Sequence, residues 1–199
     1  MDLDPATLSP SQRYKLLTCL IVPRPIALVT TLSDAGVINA APFSFFNVMG
    51  ADPPIVVLGI GDRVDGSPKD TALNIRNSRE FVVNIVTEAI AGAMNVCGTD
   101  FPHGESELAA AGLTPEASHA VRSPRIAESP AHLECRQVQT IEIGANRVII
   151  GEVVHLQIRD ELIDRQKLYI NTEALQVIGR MHAPSWYTRT RDLFKIHRK

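Results

Sequence analysis

Residues 133–158 read as two long arms folded about a single turn. Leu133, Cys135, Ile141 and Ile143 fall on one face of the first arm, and Val148, Ile150, Val154, Leu156 and Ile158 alternate along the second. Gly144, Ala145 and Asn146 between them carry turn chemistry. A period of two sustained this long suits antiparallel strands and cannot keep one face of a helix apolar. The chain is therefore expected to fold around an antiparallel sheet.

Other segments extend that sheet. Residues 26–32 are apolar and β-branched, Ser33-Asp34-Ala35-Gly36 is a turn, and residues 37–41 return as a partner strand. Pro42 is expected to end that strand, leaving a loop to Pro54 that holds Phe43, Phe45 and Phe46 around Ser44. Residues 55–60 form a continuous apolar run, the mark of a buried strand, and residues 81–86 form another.

Helices interrupt the strands. Ser9 as N-cap with Pro10 at the first position opens one over residues 9–20. The Ile21-Val22-Pro23-Arg24-Pro25 segment then forbids its continuation. Ser67, Pro68 and Asp70 predict a second helix, with Ser67 as cap and Asp70 serving that cap, running to about Ser78. Shorter helices are expected over 89–96 and 105–111. Residues 112–130 read as a long loop, of the kind that is functional or mobile. Without a repeat or linker, residues 1–199 make one domain that is mainly β with short helices, a closed or nearly closed antiparallel barrel.

Composition excludes several classes of function. With a net charge of −2 and aromatics at 5%, the chain has neither a basic surplus for phosphates nor stacking platforms for bases, so no nucleic-acid partner is expected. Cys19, Cys97 and Cys135 are odd in number and far apart, which fits buried thiols better than a disulfide or metal pair. The histidines at 103, 119, 132, 155 and 197 show no metal-binding spacing, so no metal is expected. The acidic opening lacks a signal-like apolar stretch, and Pro, Asp or Arg interrupts every apolar run. A cytoplasmic protein without membrane attachment is the expectation.

The chemistry concentrates in residues 37–71. A helix N-terminus after Ser67 offers unpaired amides and the positive end of a dipole. Lys69 adds a point charge, Thr71 a hydroxyl and Arg63 a further cation, together suiting a phosphate. An ordinary capped surface helix is the plain reading of the same residues. Upstream, Asn39, Ala40, Ala41 and Ser44 are small or polar, so backbone groups there can approach a flat heterocycle that alternates donors and acceptors. Phe46 and Asn47 supply further backbone groups. Asn39 suits a turn as well as a ligand. One of Thr30 and Thr31 points inward, towards a ribityl chain or the ring, or both simply favour a strand. The ligand that joins such a ring to a phosphate is flavin mononucleotide, FMN. No catalytic side chain is required, because the flavin carries the reaction.

Several segments resemble the flavin reductase-like family in order and spacing. They are Pro23-Arg24-Pro25-Ile26-Ala27, Asn39-Ala40-Ala41-Pro42-Phe43-Ser44, Pro53-Pro54, Lys69-Asp70-Thr71 with Asn74-Ile75, and Phe81-Val82-Val83-Asn84. Gly179-Arg180-Met181-His182 and Trp186-Tyr187-Thr188-Arg189 resemble its closing segment. The resemblance implies an FMN-binding split β-barrel, a homodimer with the flavin near the interface, NAD(P)H as electron donor, and a monooxygenase or other redox partner. It also implies that the segment with His182 and Tyr187 lies by the flavin as modulators, although a surface turn is an equal reading for His182. Arg24 serves either the ligand or the dimer. An electron carrier without nicotinamide activity and a barrel without flavin are the alternatives to a flavin reductase.

Overall fold

The computed structural model describes residues 1–197. Five strands come first: β1 (Ala27–Leu32), β2 (Ile38–Phe43), β3 (Phe46–Ala51), β4 (Pro54–Gly61) and β5 (Glu80–Ile85). A two-residue pair, β6 (Pro115–Glu116) and β7 (Arg125–Ile126), precedes the long hairpin of β8 (Ala131–Ile143) and β9 (Asn146–Ile158). Seven of these form one antiparallel sheet in the order β2-β1-β5-β8-β9-β4-β3. Register shifts at Val154 of β9, opposite Glu134 and Cys135, and at Val138 of β8 mark bulges, which bend a strand and curl the sheet.

The curl brings the sheet's two edges together. Its edge strands, β2 and β3, are consecutive in the chain and joined only by Ser44 and Phe45. The Gly59 amide of β4 donates to the Phe45 carbonyl at 2.7 Å, which ties the crossing to the barrel wall. A side chain at position 59 would meet Phe45 Cβ at 3.0 Å, so glycine is what permits this approach. A barrel results in which β2 keeps one edge free of strand partners.

Two clusters pack on either side of β1. Ala27, Val29, Phe43, Leu58, Phe81 and Ile149 meet inside the barrel, and helix α2 (Asp70–Ser78) adds Ala72 and Ile75 to them. Leu28, Ala40, Ile90, Met94, Leu108 and Ile126 form the outer cluster, where α3 (Ala91–Val96) and α4 (Leu108–Ala111) cover the sheet. β1 is thus covered on both faces, which is why its residues do not alternate between buried and exposed. Helix α1 (Pro10–Leu20) has the expected start: Ser9 and Gln12 form a reciprocal capping box. Towards the C-terminus come β10 (Ile163–Asp164), β11 (Tyr169–Ile170), α5 (Thr172–Leu175), and the pair β12 (Ile178–Arg180) and β13 (Tyr187–Arg189).

Three local expectations need correction. Pro42 does not end its strand, because β2 runs on to Phe43. The Ala40 amide bonds a side chain rather than β1, so it faces the free edge. Pro42, two residues on, shares that phase, and its missing N–H costs no ladder bond. The region expected to be a loop up to Pro54 instead contains β3. Finally, α2 begins at Asp70 with Lys69 as an N-cap that makes no side-chain bond. The Ser67 hydroxyl is spent on Asp65, at 2.6 Å.

Candidate functional site

A groove follows the free edge of β2, from the first turn of α2 to the crossing at Ser44. It comprises a cavity of about 120 Å³ beside Lys69 and Thr71 and one of about 310 Å³ beside Ser44. Pro42, Phe43 and Gly98 line both, so the two are continuous. From Asn39 to Ser44 is five residue steps, about 16 Å of near-extended chain.

The narrow end is built by α2. Its opening amides lack a side-chain cap and remain available, as helix starts do without one. The Thr71 hydroxyl accepts from the Asn39 amide at 2.9 Å, leaving its own proton free to donate. Lys69 Nζ lies 5.9 Å from the centre of the Phe43 ring, and among the described residues it pairs with no carboxylate. Asp70 is held by Arg63 at 3.1 Å and by His103 at 2.6 Å, which offsets its charge. These donors fit a phosphate.

Glu107 sets the floor between the two ends. Only 7% exposed, its carboxylate accepts from the Ala40 amide at 2.7 Å. Burial pushes its pKa up. Burial, reinforced by Glu107, also pushes the neighbouring Cys97 thiol up to about 12, so Cys97 is an inert wall and not a nucleophile. With the Ala40 N–H occupied, strand alternation leaves the Ala40 and Pro42 carbonyls as the free-edge acceptors.

The wide end lies between α1, α3 and the C-terminal hairpin. Tyr14, Asn95, Arg180 and Tyr187 line it together with Ser44. The Arg180 guanidinium lies 4.6 Å from the centre of the Tyr187 ring and donates to the Pro184 carbonyl at 2.8 Å. Among the described residues no acidic side chain lines this cavity.

The flavin reductase like domain matches residues 19–177. The chain belongs to the flavin reductase-like family. An uncharacterized protein of Deinococcus radiodurans is 46% identical over 98% of the chain and 88% of its own length. Nitrilotriacetate monooxygenase component B from Bacillus cereus superposes with a TM-score of 0.94 at 32% identity, covering 98% of both chains. Pseudomonas fluorescens 2-nitrobenzoate 2-nitroreductase NbaA gives 0.91 at 38%, over 100% of this chain and 96% of its own. The fold is the split barrel found in solved flavin reductases.

Within this flavin reductase-like barrel, the groove gathers Asn39, Ala41, Ser44, Arg63, Lys69, Thr71 and Tyr187 from the residues singled out in the sequence. Ala40 is fully buried and offers the groove only its backbone, and the rest lie outside it. Thr30 and Thr31 are fully buried and spend their hydroxyls on the fold: Thr30 takes Asn84 at 3.0 Å and Thr31 takes Asn74 at 3.0 Å. Phe46 and Asn47 lie past the crossing, on an apolar face with Ile21 and Met49. His182 is exposed and stacks on Trp186 at 5.8 Å. Arg189 is drawn to Glu88, at 2.7 Å.

Tyr14, Asn95, Gly98 and Glu107 escaped the sequence reading. Nothing in their local pattern sets them apart, and only the packing of α1, α3 and α4 against β2 brings them to the groove. Among the described residues no group of three or more metal-ligating side chains assembles. No described helix is long and apolar enough to cross a membrane.

Proposed function

We propose that this protein is an FMN-binding oxidoreductase that takes electrons from NAD(P)H and passes them to free flavin or to a partner protein. The observation that carries the reading is the continuous groove, with phosphate donors at its narrow end and an acid-free, partly aromatic cavity at its wide end. When bound, flavin supplies the hydride-accepting chemistry. Lys69, Thr71 and the first amides of α2 hold the phosphate. Asn39 fixes the Thr71 hydroxyl, and the Ala40 and Pro42 carbonyls accept from the ring's N–H. Ser44 donates to a ring oxygen, while Tyr187 and Arg180 wall off the ring end.

Two molecules associate, in this reading, through the face beyond the crossing. There Leu17, Ile21, Val48 and Met49 are each more than half exposed, an apolar surface of the kind that marks a protein contact. The likeness to a monooxygenase component favours a redox partner. The likeness to NbaA, spanning the whole chain, favours a second reading in which a small nitroaromatic takes the electrons directly.

The test is the visible spectrum of the purified protein titrated with FMN, followed by anaerobic addition of NADH or NADPH. Binding and bleaching are expected. Bound flavin that neither nucleotide bleaches would make the protein a carrier, and absence of binding would refute the cofactor assignment. Turnover of bleached protein with 2-nitrobenzoate, against free flavin, separates the two acceptors.

A further inference from the structure

Among the described residues, the buried Arg24 cation has no counter-charge. Its residue is 5% exposed, and its guanidinium makes four hydrogen bonds, all to neutral oxygens. They go to the carbonyls of Thr18, Ile21 at 2.9 Å and Met181 at 2.8 Å, and to the Ser44 hydroxyl oxygen at 3.2 Å. Among the described residues no carboxylate pairs with it. A second cation, Arg180, acts on it as well, and its backbone pairs with that of Arg24 in both directions. Desolvation lowers the Arg24 pKa, opposed by Tyr14 and Cys19 and reinforced by Arg180, yet an arginine stays charged.

An unpaired cation in such a place is costly to the fold, since burying a charge without a partner is unfavourable. Anchoring α1 and the C-terminal hairpin requires only a neutral donor. What the charge adds is felt at Ser44, the one Arg24 partner that also lines the wide cavity. Because the Ser44 oxygen accepts from Arg24 Nε, its own proton is turned away from the arginine and is polarised by it.

We infer that Arg24 is a positioning residue that makes the Ser44 hydroxyl a charge-assisted donor into the flavin ring site and biases that site towards the reduced flavin. This rests on the cofactor assignment above. The reduced ring carries two additional electrons, so a donor backed by a cation favours it over the oxidised ring. The effect is a difference between two affinities, and it is separable from any structural role of Arg24.

The experiment measures the midpoint potential of protein-bound FMN, and its dissociation constant in the oxidised state, for the wild type, Arg24→Met, Arg24→Lys, Ser44→Ala and the double variant R24M/S44A. Arg24→Met and Ser44→Ala are each expected to weaken reduced flavin about tenfold more than oxidised flavin, a fall of about 30 mV for a two-electron couple. The double variant should fall no further than Arg24→Met, and Arg24→Lys should retain most of the wild-type potential. A wild-type potential in Ser44→Ala, or equal weakening of both redox states in Arg24→Met, would overturn the inference. Should Arg24→Met fail to fold, Ser44→Ala decides alone. A wild type that binds no flavin would instead defeat the cofactor assignment.

Discussion

The Asn39 side-chain amide donates to the Thr71 hydroxyl across 2.9 Å, joining an edge strand of the barrel to the first turn of α2. Both residues are buried, at 7% and 1% exposure. The bond therefore fixes the narrow end of the proposed ligand site against the strand that leads to its wide end.

Asn39→Ala strips the buried Thr71 oxygen of that bond. Leaving a buried polar group unsatisfied costs about 1–3 kcal/mol. Urea unfolding should show a loss of that size. FMN affinity should fall as well, because the Thr71 hydroxyl is no longer held in one orientation. Unchanged stability would mean that the contact contributes nothing.

Lys69→Ala should weaken FMN by about 1.5–3 kcal/mol, the range for a charge-assisted hydrogen bond, and leave riboflavin nearly unaffected. Fluorescence quenching titrations with the two flavins give the comparison. Equal losses for both would remove Lys69 from the phosphate site.

Glu107 makes stability depend on pH in a predictable direction. Burial raises its pKa above the ordinary value of 4.5, so the unfolded chain ionises first as pH rises. The contribution of this residue is fully present below that ordinary value and is lost as pH climbs through the raised native value. Glu107→Gln keeps an oxygen for the Ala40 amide but cannot ionise. The urea midpoint of this variant should lose the part of the decline that the wild type shows above pH 4.5; parallel curves would contradict the assignment.

Gly151 sits against the fully buried Phe81 ring, where a Cβ would approach Cε1 to 2.8 Å. The ring is rigid and cannot retreat within the barrel. Gly151→Ala should cost about 1–3 kcal/mol in urea melts, as overpacked cores do.

Ile21 and Met49, both 64% exposed, test the self-association face. Ile21→Glu with Met49→Lys should convert a dimer to a monomer in size-exclusion chromatography with light scattering. An unaltered mass would place the contact elsewhere.

Strand identity was the most legible property of the sequence, because β1, β4, β5, β8 and β9 each carry an unambiguous apolar pattern. The helix boundaries were legible where the cap was local, as with Ser9 and Gln12, and misleading where a competing acceptor intervened, as Asp65 does for Ser67. Strand β3 was obscured by the signals around it, since Pro42 and Pro53 suggest a loop until one sees that proline is tolerated at a free edge. The narrow end of the site was readable from a contiguous stretch. The wide end was not, because Tyr14, Asn95 and Arg180 meet only through tertiary packing. Thr30 and Thr31 show the limit of periodicity: alternation says that they face opposite ways, but not that asparagines await both.

The floor of the groove and its rims have separate origins. The floor is β2, whose position is imposed by the barrel's closure at Ser44 and Phe45. The rims are residues 97–101, after α3, and 180–187, in the C-terminal hairpin, and neither forms part of the seven-stranded wall. In the proposed reading, exchange of the 180–187 rim would alter what reaches the ring end, and exchange of the 97–101 rim what sits beside the phosphate, while the β2 platform beneath both stays in place.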